Sequence, residues 1–210
     1  MRNAYGVVEE FERRMAEFSS SKYAVAVDSC TNAIQLCAEF IKHWFVADHE
    51  VTLPARTYCS VPMALIHAGF RPVFQDFVWE GIYPITFKTS LGYQTIIDGA
   101  KRYRPGMYSG ALFHCLSFHI KKSLDCGTGG MILTDSKKAV EWLKLMRWDG
   151  RQPTDYGTTQ ITKIGHHMYM TPEIAARGIR KMEALPLAGV PDQLEDYPDL
   201  RKEPAFQDYA

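Results

Sequence analysis

Three short stretches of this chain carry groups that can do chemistry together. Thr95-Ile96-Ile97-Asp98 ends an apolar run on a carboxylate. Leu116-Ser117-Phe118-His119-Ile120-Lys121-Lys122-Ser123-Leu124 holds two adjacent amines, and Gly127-Thr128-Gly129-Gly130 is a glycine turn ahead of a new apolar run. A primary amine condenses with an aldehyde to a Schiff base, and a carboxylate keeps a pyridine nitrogen protonated. An amine and a carboxylate so placed are what an aldehyde cofactor such as pyridoxal phosphate requires.

The flanking patterns say which elements must position these groups. Val7, Val8, Phe11, Met15 and Phe18 recur at helical spacing with Glu9, Glu10, Arg13 and Arg14 between them, which predicts an amphipathic first helix ended by Ser19-Ser20-Ser21. Residues 23–27 form a short apolar strand. Asp28-Ser29-Cys30-Thr31 then caps a helix running to about Phe45. A strand that runs into a polar helix start leaves backbone N–H groups unpaired, which is a phosphate site or simply an N-cap.

Strands at 50–54 and 72–75 flank a helix from Ser60 to Ala68, and further strands fall at 95–97, within 111–119 and at 131–134. Residues 76–93 contain Gly81, Pro84 and Gly92, show no clear period, and are expected to cross the molecule as a loop. Ser136 caps a helix carrying Ala139, Trp142, Leu143 and Met146 on one face, and Thr171-Pro172 opens another reaching about Glu183. Residues 150–163 look irregular, and the proline-rich tail reads as a wrapping arm. Alternating strands and helices with short connections predict an α/β fold, its sheet mostly parallel with helices on both faces. The site then belongs at the carboxyl ends of the strands, where Ser29, Thr57 and Asp98 all fall.

Composition narrows the function class. With 46% apolar and 23% charged residues the chain is an ordinary globule, and 24 basic against 24 acidic side chains force no broad cationic face for nucleic acid or an anionic membrane. Five cysteines without a CxxC spacing resemble neither a secreted disulfide framework nor a zinc ribbon, so a cytoplasmic setting is expected. No metal is expected: His114, Cys115 and His119, or His166 and His167, are poorly spaced for a closed site.

The ordered set of motifs resembles the DegT/StrS family of fold-type-I, pyridoxal-phosphate-dependent aminotransferases, which act on keto sugars joined to nucleotides. The matching stretches are residues 23–33, 50–58, 69–76, 97–100, 117–122, 127–134, 146–151 and 165–178. The resemblance implies that Lys122 is the Schiff-base lysine and that Asp98 pairs with the pyridinium nitrogen. Ser117, matching a phosphate-contacting serine five residues before the family's lysine, selects Lys122 over Lys121. Cys30, Thr31 and Asn32 match the helix-start phosphate positions, and Tyr58 the aromatic that stacks on the pyridine ring. Relatives that dehydrate carry histidine in place of the lysine. Transamination from an amino acid, glutamate in most of the family, to a keto sugar is therefore the implied activity. Taken singly, Lys122 reads as a solvated lysine, Asp98 as a turn or cap residue and Tyr58 as core packing.

Several positions depart from the family pattern. Cys30 replaces the glycine of a small turn, Lys101 stands where glutamine or histidine meets the cofactor's phenolic oxygen, and Thr128 replaces an acid. His167 takes the place of an asparagine that reaches the partner subunit's phosphate, and Tyr169 that of an arginine. Residues 1–185 are expected to form the cofactor-binding large domain and 186–210 a tail, with the C-terminal small domain largely absent. Because the family builds its site across a dimer interface, a homodimer is expected. The alternative is a non-catalytic module that keeps the fold for cofactor binding or assembly.

Overall fold

The computed structural model describes residues 4–153, 158–186, 188–192 and 196–209. The helices are α1 (Gly6–Ser19), α2 (Cys30–Trp44), α3 (Ser60–His67), α4 (Lys137–Met146) and α5 (Pro172–Ala184). The strands are β1 (Tyr23–Val27), β2 (Ala47–Pro54), β3 (Arg71–Gln75), β4 (Tyr83–Thr89), β5 (Gly92–Asp98), β6 (Phe113–Ser117) and β7 (Gly130–Thr134). They form one sheet in the order β1-β7-β6-β5-β4-β2-β3.

Five of these seven strands run in one direction. With β6 taken as reference, β5, β2, β3 and β1 follow it, whereas β4 and β7 are reversed. The sheet is thus mixed within a mostly common strand direction. The reversed pair has a local effect: at the edge where β1, β2, β5 and β6 end, β4 and β7 begin.

Strand β4 corrects the expected loop at residues 76–93. Tyr83, Ile85, Phe87 and Thr89 are buried, while Pro84 and Lys88 are exposed and Thr86 half-buried, a two-residue period that marks a strand with one face in the core. Its punctuation conceals it, because Gly81, Pro84 and Gly92 lie in or beside it. Pro84 is tolerated as the second residue of the strand, near its end, where a missing ladder N–H matters least. Through Ser90 and Leu91 the strand turns into β5, pairing Thr89 with Gly92 and, at the far end, Tyr83 with Asp98.

Two apolar clusters hold the layers together. On one face Ile34, Leu36, Phe40 and Ile41 of α2, Leu65 of α3 and Leu143 of α4 pack on Val25, Val51, Leu53, Ile85, Phe87, Ile96 and Ile132. On the other, Val8, Phe11 and Met15 of α1 and Ala175 of α5 pack on Ala24, Ala26, Leu116, Met131 and Leu133. Each such large side chain contributes about 1.5–3 kcal/mol on burial. This second layer covers β1, β7 and β6. On β4 and β5 the same face carries Thr86 opposite Thr95 and Lys88 opposite Tyr93, half-buried or exposed.

Beneath α1, the buried Glu12 carboxylate accepts from Arg147 Nη1 at 2.5 Å and from the Ala26 N–H at 2.9 Å. Lys144 stands 3.2 Å away. The tail does wrap: Leu200 N–H donates to the Ala55 carbonyl at 2.9 Å, and Phe206 meets Phe74 of β3 edge-on at 5.8 Å. Of the irregular stretch, residues 151–153 and 158–163 carry neither helix nor strand, and 154–157 lie outside the described residues. Among the described residues no helix is long and apolar enough to cross a membrane.

Candidate active site

At the common strand edge opens a cavity of about 660 Å³. Ser29, Cys30, Thr31, Thr57, Tyr58, Asp98, Lys101, Ser117, Lys121 and Lys122 all line it. Their positions after predicted strands place Ser29, Thr57 and Asp98 on one edge, and the fold does so by ending β1, β2 and β5 there.

The α2 end is a cradle of backbone donors. Ser29 caps the helix through its Oγ, which accepts the Asn32 N–H at 3.1 Å, and Thr31 Oγ1 lies 2.7 Å from Ser60 Oγ at the start of α3. Gly130 lets β7 come close: a Cβ there would meet the carbonyl carbon of Ser29 at 2.5 Å and the nitrogen of Cys30 at 2.6 Å. The side chain of Cys30 does not fill the turn but packs against the core cluster, and burial, then the nearby Asp98 charge, push its thiol well above the ordinary range. Asn32 is absent from the cavity lining, because its amide is bound to the Asp28 carboxylate at 2.8 and 3.0 Å.

Asp98, buried at 6% exposure, sits on the floor. Oδ2 accepts from the Tyr83 hydroxyl at 2.5 Å and Oδ1 from the Ala100 N–H at 2.9 Å. Burial raises its proton affinity above the ordinary carboxylate value, against the Tyr83 and Ala100 hydrogen bonds and the more distant positive charges of Lys122 and Lys101. Both donors in contact are neutral. A buried acid so held is incompletely compensated.

Lys121 and Lys122 both face the cavity, but only Lys122 is among the charges acting on Asp98. The turn that carries it is fixed by the Lys122 N–H donating to the His119 carbonyl at 2.8 Å and by a bridge between His119 and Gly127. His119, Thr128 and Gly129 complete that wall.

The opposite wall is aromatic, built of residues that no motif in the sequence singles out. Trp79, Tyr83 and Tyr197 line the cavity, with Trp79 Nε1 donating to the Arg56 carbonyl at 2.9 Å and its ring 4.6 Å from that of Tyr83. Lys101, only 4% exposed, places its ammonium 4.2 Å from the Tyr197 ring centre and 5.1 Å from that of Trp79. Tyr197 belongs to the tail, and nothing in its local sequence distinguishes a cavity residue from a loop tyrosine. Tyr58 is 58% exposed, its ring 6.3 Å from that of Tyr197. His167 lies outside the cavity lining, with a side chain 70% exposed and Nδ1 3.2 Å from Asp149 Oδ1.

Comparison with known proteins converges on one group. The UDP-4-amino-4,6-dideoxy-N-acetyl-beta-L-altrosamine transaminase of Helicobacter pylori is 20% identical over 84% of this chain and 56% of its own length. The structure of Helicobacter pylori PseC, an aminotransferase involved in the biosynthesis of pseudoaminic acid, superposes with a TM-score of 0.69 at 19% identity, covering 84% of this chain and 57% of PseC. Spr1654 from Streptococcus pneumoniae, in its PLP form, gives 0.66 at 17% identity over 84% of this chain and 59% of its own. The fold is that of these aminotransferases, and the chain spans somewhat over half the length of the relatives it matches. The model of one family matches residues 1–83 and 104–188. This chain belongs to the DegT/DnrJ/EryC1/StrS aminotransferase family.

Proposed function

We propose that the chain is a pyridoxal-phosphate-dependent aminotransferase that moves an amino group from an amino acid, glutamate by preference, to a keto sugar carried on a nucleotide. The observation that carries this reading is the buried Asp98 carboxylate facing a cavity that also holds Lys122. Bound pyridoxal phosphate supplies an aldehyde and an electron-withdrawing ring. Asp98 holds the proton on the ring nitrogen, where the charge is most useful as electron sink. The Lys122 amine would attach the cofactor through its aldehyde carbon and, once released, would carry a proton between the substrate's α-carbon and that carbon of the cofactor. The first-turn N–H groups of α2, with Thr31 and Ser117, hold the phosphate. Tyr58 flanks the ring.

The nucleotide-linked acceptor is supported by the Helicobacter pylori relative, a transaminase of a UDP-linked sugar. A homodimer completes the proposal, with His167 donating toward the phosphate of the partner site. Incubation with pyridoxal phosphate is expected to give a visible absorbance band that borohydride traps on Lys122, as read by peptide mass spectrometry. Lys122→Ala abolishes the adduct and lowers amino transfer by about a hundredfold or more. An adduct on Lys121 instead, or none, overturns the assignment. A trapped adduct without any half-reaction against a panel of amino acids marks a cofactor-binding module that does not transaminate.

A further inference from the structure

The deepest polar feature of the cavity is a chain of three hydroxyl and carboxyl groups. Thr57 Oγ1 lies 2.5 Å from the Tyr83 hydroxyl, which lies 2.5 Å from Asp98 Oδ2. All three residues are buried, at 1%, 2% and 6% exposure. They come from three different places: the turn after β2, the first residue of the reversed β4, and the last residue of β5. The pairing register sets Tyr83 directly opposite Asp98.

Hydrogen counting fixes the direction of this chain. An ionised carboxylate only accepts, so the single phenolic hydrogen of Tyr83 goes to Asp98. The oxygen of Tyr83 is then left to accept, and Thr57 donates to it. Had Asp98 held the proton, both bonds would be free to reverse. The order Thr57 to Tyr83 to Asp98 is therefore the one that goes with an ionised Asp98. With Ala100 N–H on the other oxygen, the carboxylate plane is held at two points, and each oxygen keeps capacity to accept another hydrogen.

We propose that Tyr83, oriented by Thr57, is a positioning residue of this site: it holds the Asp98 carboxylate ionised and aimed into the cavity for the cofactor's ring nitrogen. The proposal rests on the assignment of Asp98 to that nitrogen. Charge-assisted hydrogen bonds from a phenol are among the stronger neutral-donor contacts, and burial magnifies the difference between the two states of the acceptor. The other titratable groups facing Asp98 are Lys101 just after β5, Cys115 on β6, Cys30 on α2 and Lys122 beyond β6. Among these only the lysines bring a positive charge, and neither replaces the directional bond from Tyr83.

The test uses the full chain as wild type, Tyr83→Phe, Thr57→Val and Thr57→Ser, with pyridoxal phosphate as probe. Tyr83→Phe keeps the ring against Trp79 and removes only the hydroxyl. It is expected to weaken cofactor retention about tenfold and to move the pH midpoint of the cofactor's visible band. Thr57→Val, which leaves the phenol without its donor, gives about a threefold loss, and Thr57→Ser restores retention to within about twofold of wild type.

A second readout needs no cofactor: carbon-13 NMR of the carboxyl groups, with Asp98 assigned by its absence in Asp98→Asn. There Tyr83→Phe raises the Asp98 titration midpoint. Unchanged retention, band and midpoint in Tyr83→Phe overturn the proposal. If wild type binds no cofactor the aminotransferase reading fails, while the carboxyl titration still decides whether Tyr83 governs Asp98. Should Tyr83→Phe not fold, the contrast between Thr57→Val and Thr57→Ser decides in its place.

Discussion

The two walls of the cavity have different origins. Ser29, Thr31, Ser117 and Lys122 lie within segments matched by the family model, on a part of the sheet covered on both faces by helices. Asp98, Lys101 and Tyr197 lie in unmatched segments, and Tyr83 is the last residue of the first matched one. That wall stands on the hairpin of β4 and β5 and on the tail, over a sheet region with a threonine-bearing outer face. Trp79 of the second wall also lies in a matched segment, so one site joins a wall on the helix-covered sheet to one on the β4–β5 hairpin, the loop before it and the tail. Both walls meet at the same strand edge, and β4 stands beneath one of them where the sequence predicts a loop.

The largest effect that would test this division lies on the matched side. Glu12 is 5% exposed and satisfied by Arg147, Lys144 and the Ala26 N–H. Burial opposes its ionisation, but the two cations and the hydrogen bonds prevail and hold the carboxyl below the usual carboxylate range. Glu12→Ala strands the buried Arg147 guanidinium and is expected to cost about 3–5 kcal/mol, read as a lowered urea midpoint. A loss under about 1 kcal/mol would show that α1 is not the anchor of the doubly covered half.

The matched wall was legible in the sequence because its signals are local. Helical spacing in α1, the Ser29 cap, the Ser117 to Lys122 register and the glycines before β7 each depend on residues a few positions apart. Tyr83 and Tyr197 were not legible, for physical reasons. Pro84 and the flanking glycines hide the two-residue period of β4, and without that strand no register sets Tyr83 opposite Asp98. Tyr197 reaches the cavity through contacts with residues distant in sequence: Arg56 donates to its carbonyl, its ring stacks on Trp79, and Leu200 and Phe206 dock the tail, a long-range packing outcome without local periodicity. The buried state of Lys101 goes with its aromatic neighbours Trp79 and Tyr197. It is a lysine whose setting local sequence does not disclose.

Asp98 sharpens the comparison through pH. Its folded-state pKa is raised from 3.8, first by burial, so the folded chain holds the proton more tightly than the unfolded chain. The stability this group contributes is fully present below the unfolded value and is lost as pH rises through the folded one. Asp98→Asn removes that loss. Without cofactor, the melting temperature of Asp98→Asn relative to wild type is expected to climb from below pH 3.8 upward and then level off, while cofactor retention falls. A difference that is flat across acidic pH would mean that Asp98 is well compensated without the cofactor, and the unmatched wall would lose its claim to be built around an unmet charge.

The smallest effect concerns Lys101, where the two walls offer different explanations of one residue. If the lysine served only to face an anionic ligand, its replacement would leave the apo protein unchanged. The ammonium instead lies against Trp79 and Tyr197, so part of its role is to hold the tail tyrosine against the tryptophan of the loop before β4. Lys101→Met keeps most of the apolar stem and removes the charge. It is expected to cost about 1 kcal/mol, from the lost cation–π attraction offset by easier burial of the thioether. Tryptophan fluorescence should shift with it, since Trp79 loses its adjacent cation, and Trp79→Phe in the same background should remove most of that shift. An unchanged spectrum with unchanged stability would place the Lys101 ammonium outside the aromatic pair in solution. Tyr197 would then stand in the cavity through Arg56, the Trp79 stack and the docking of Leu200 and Phe206, without help from Lys101.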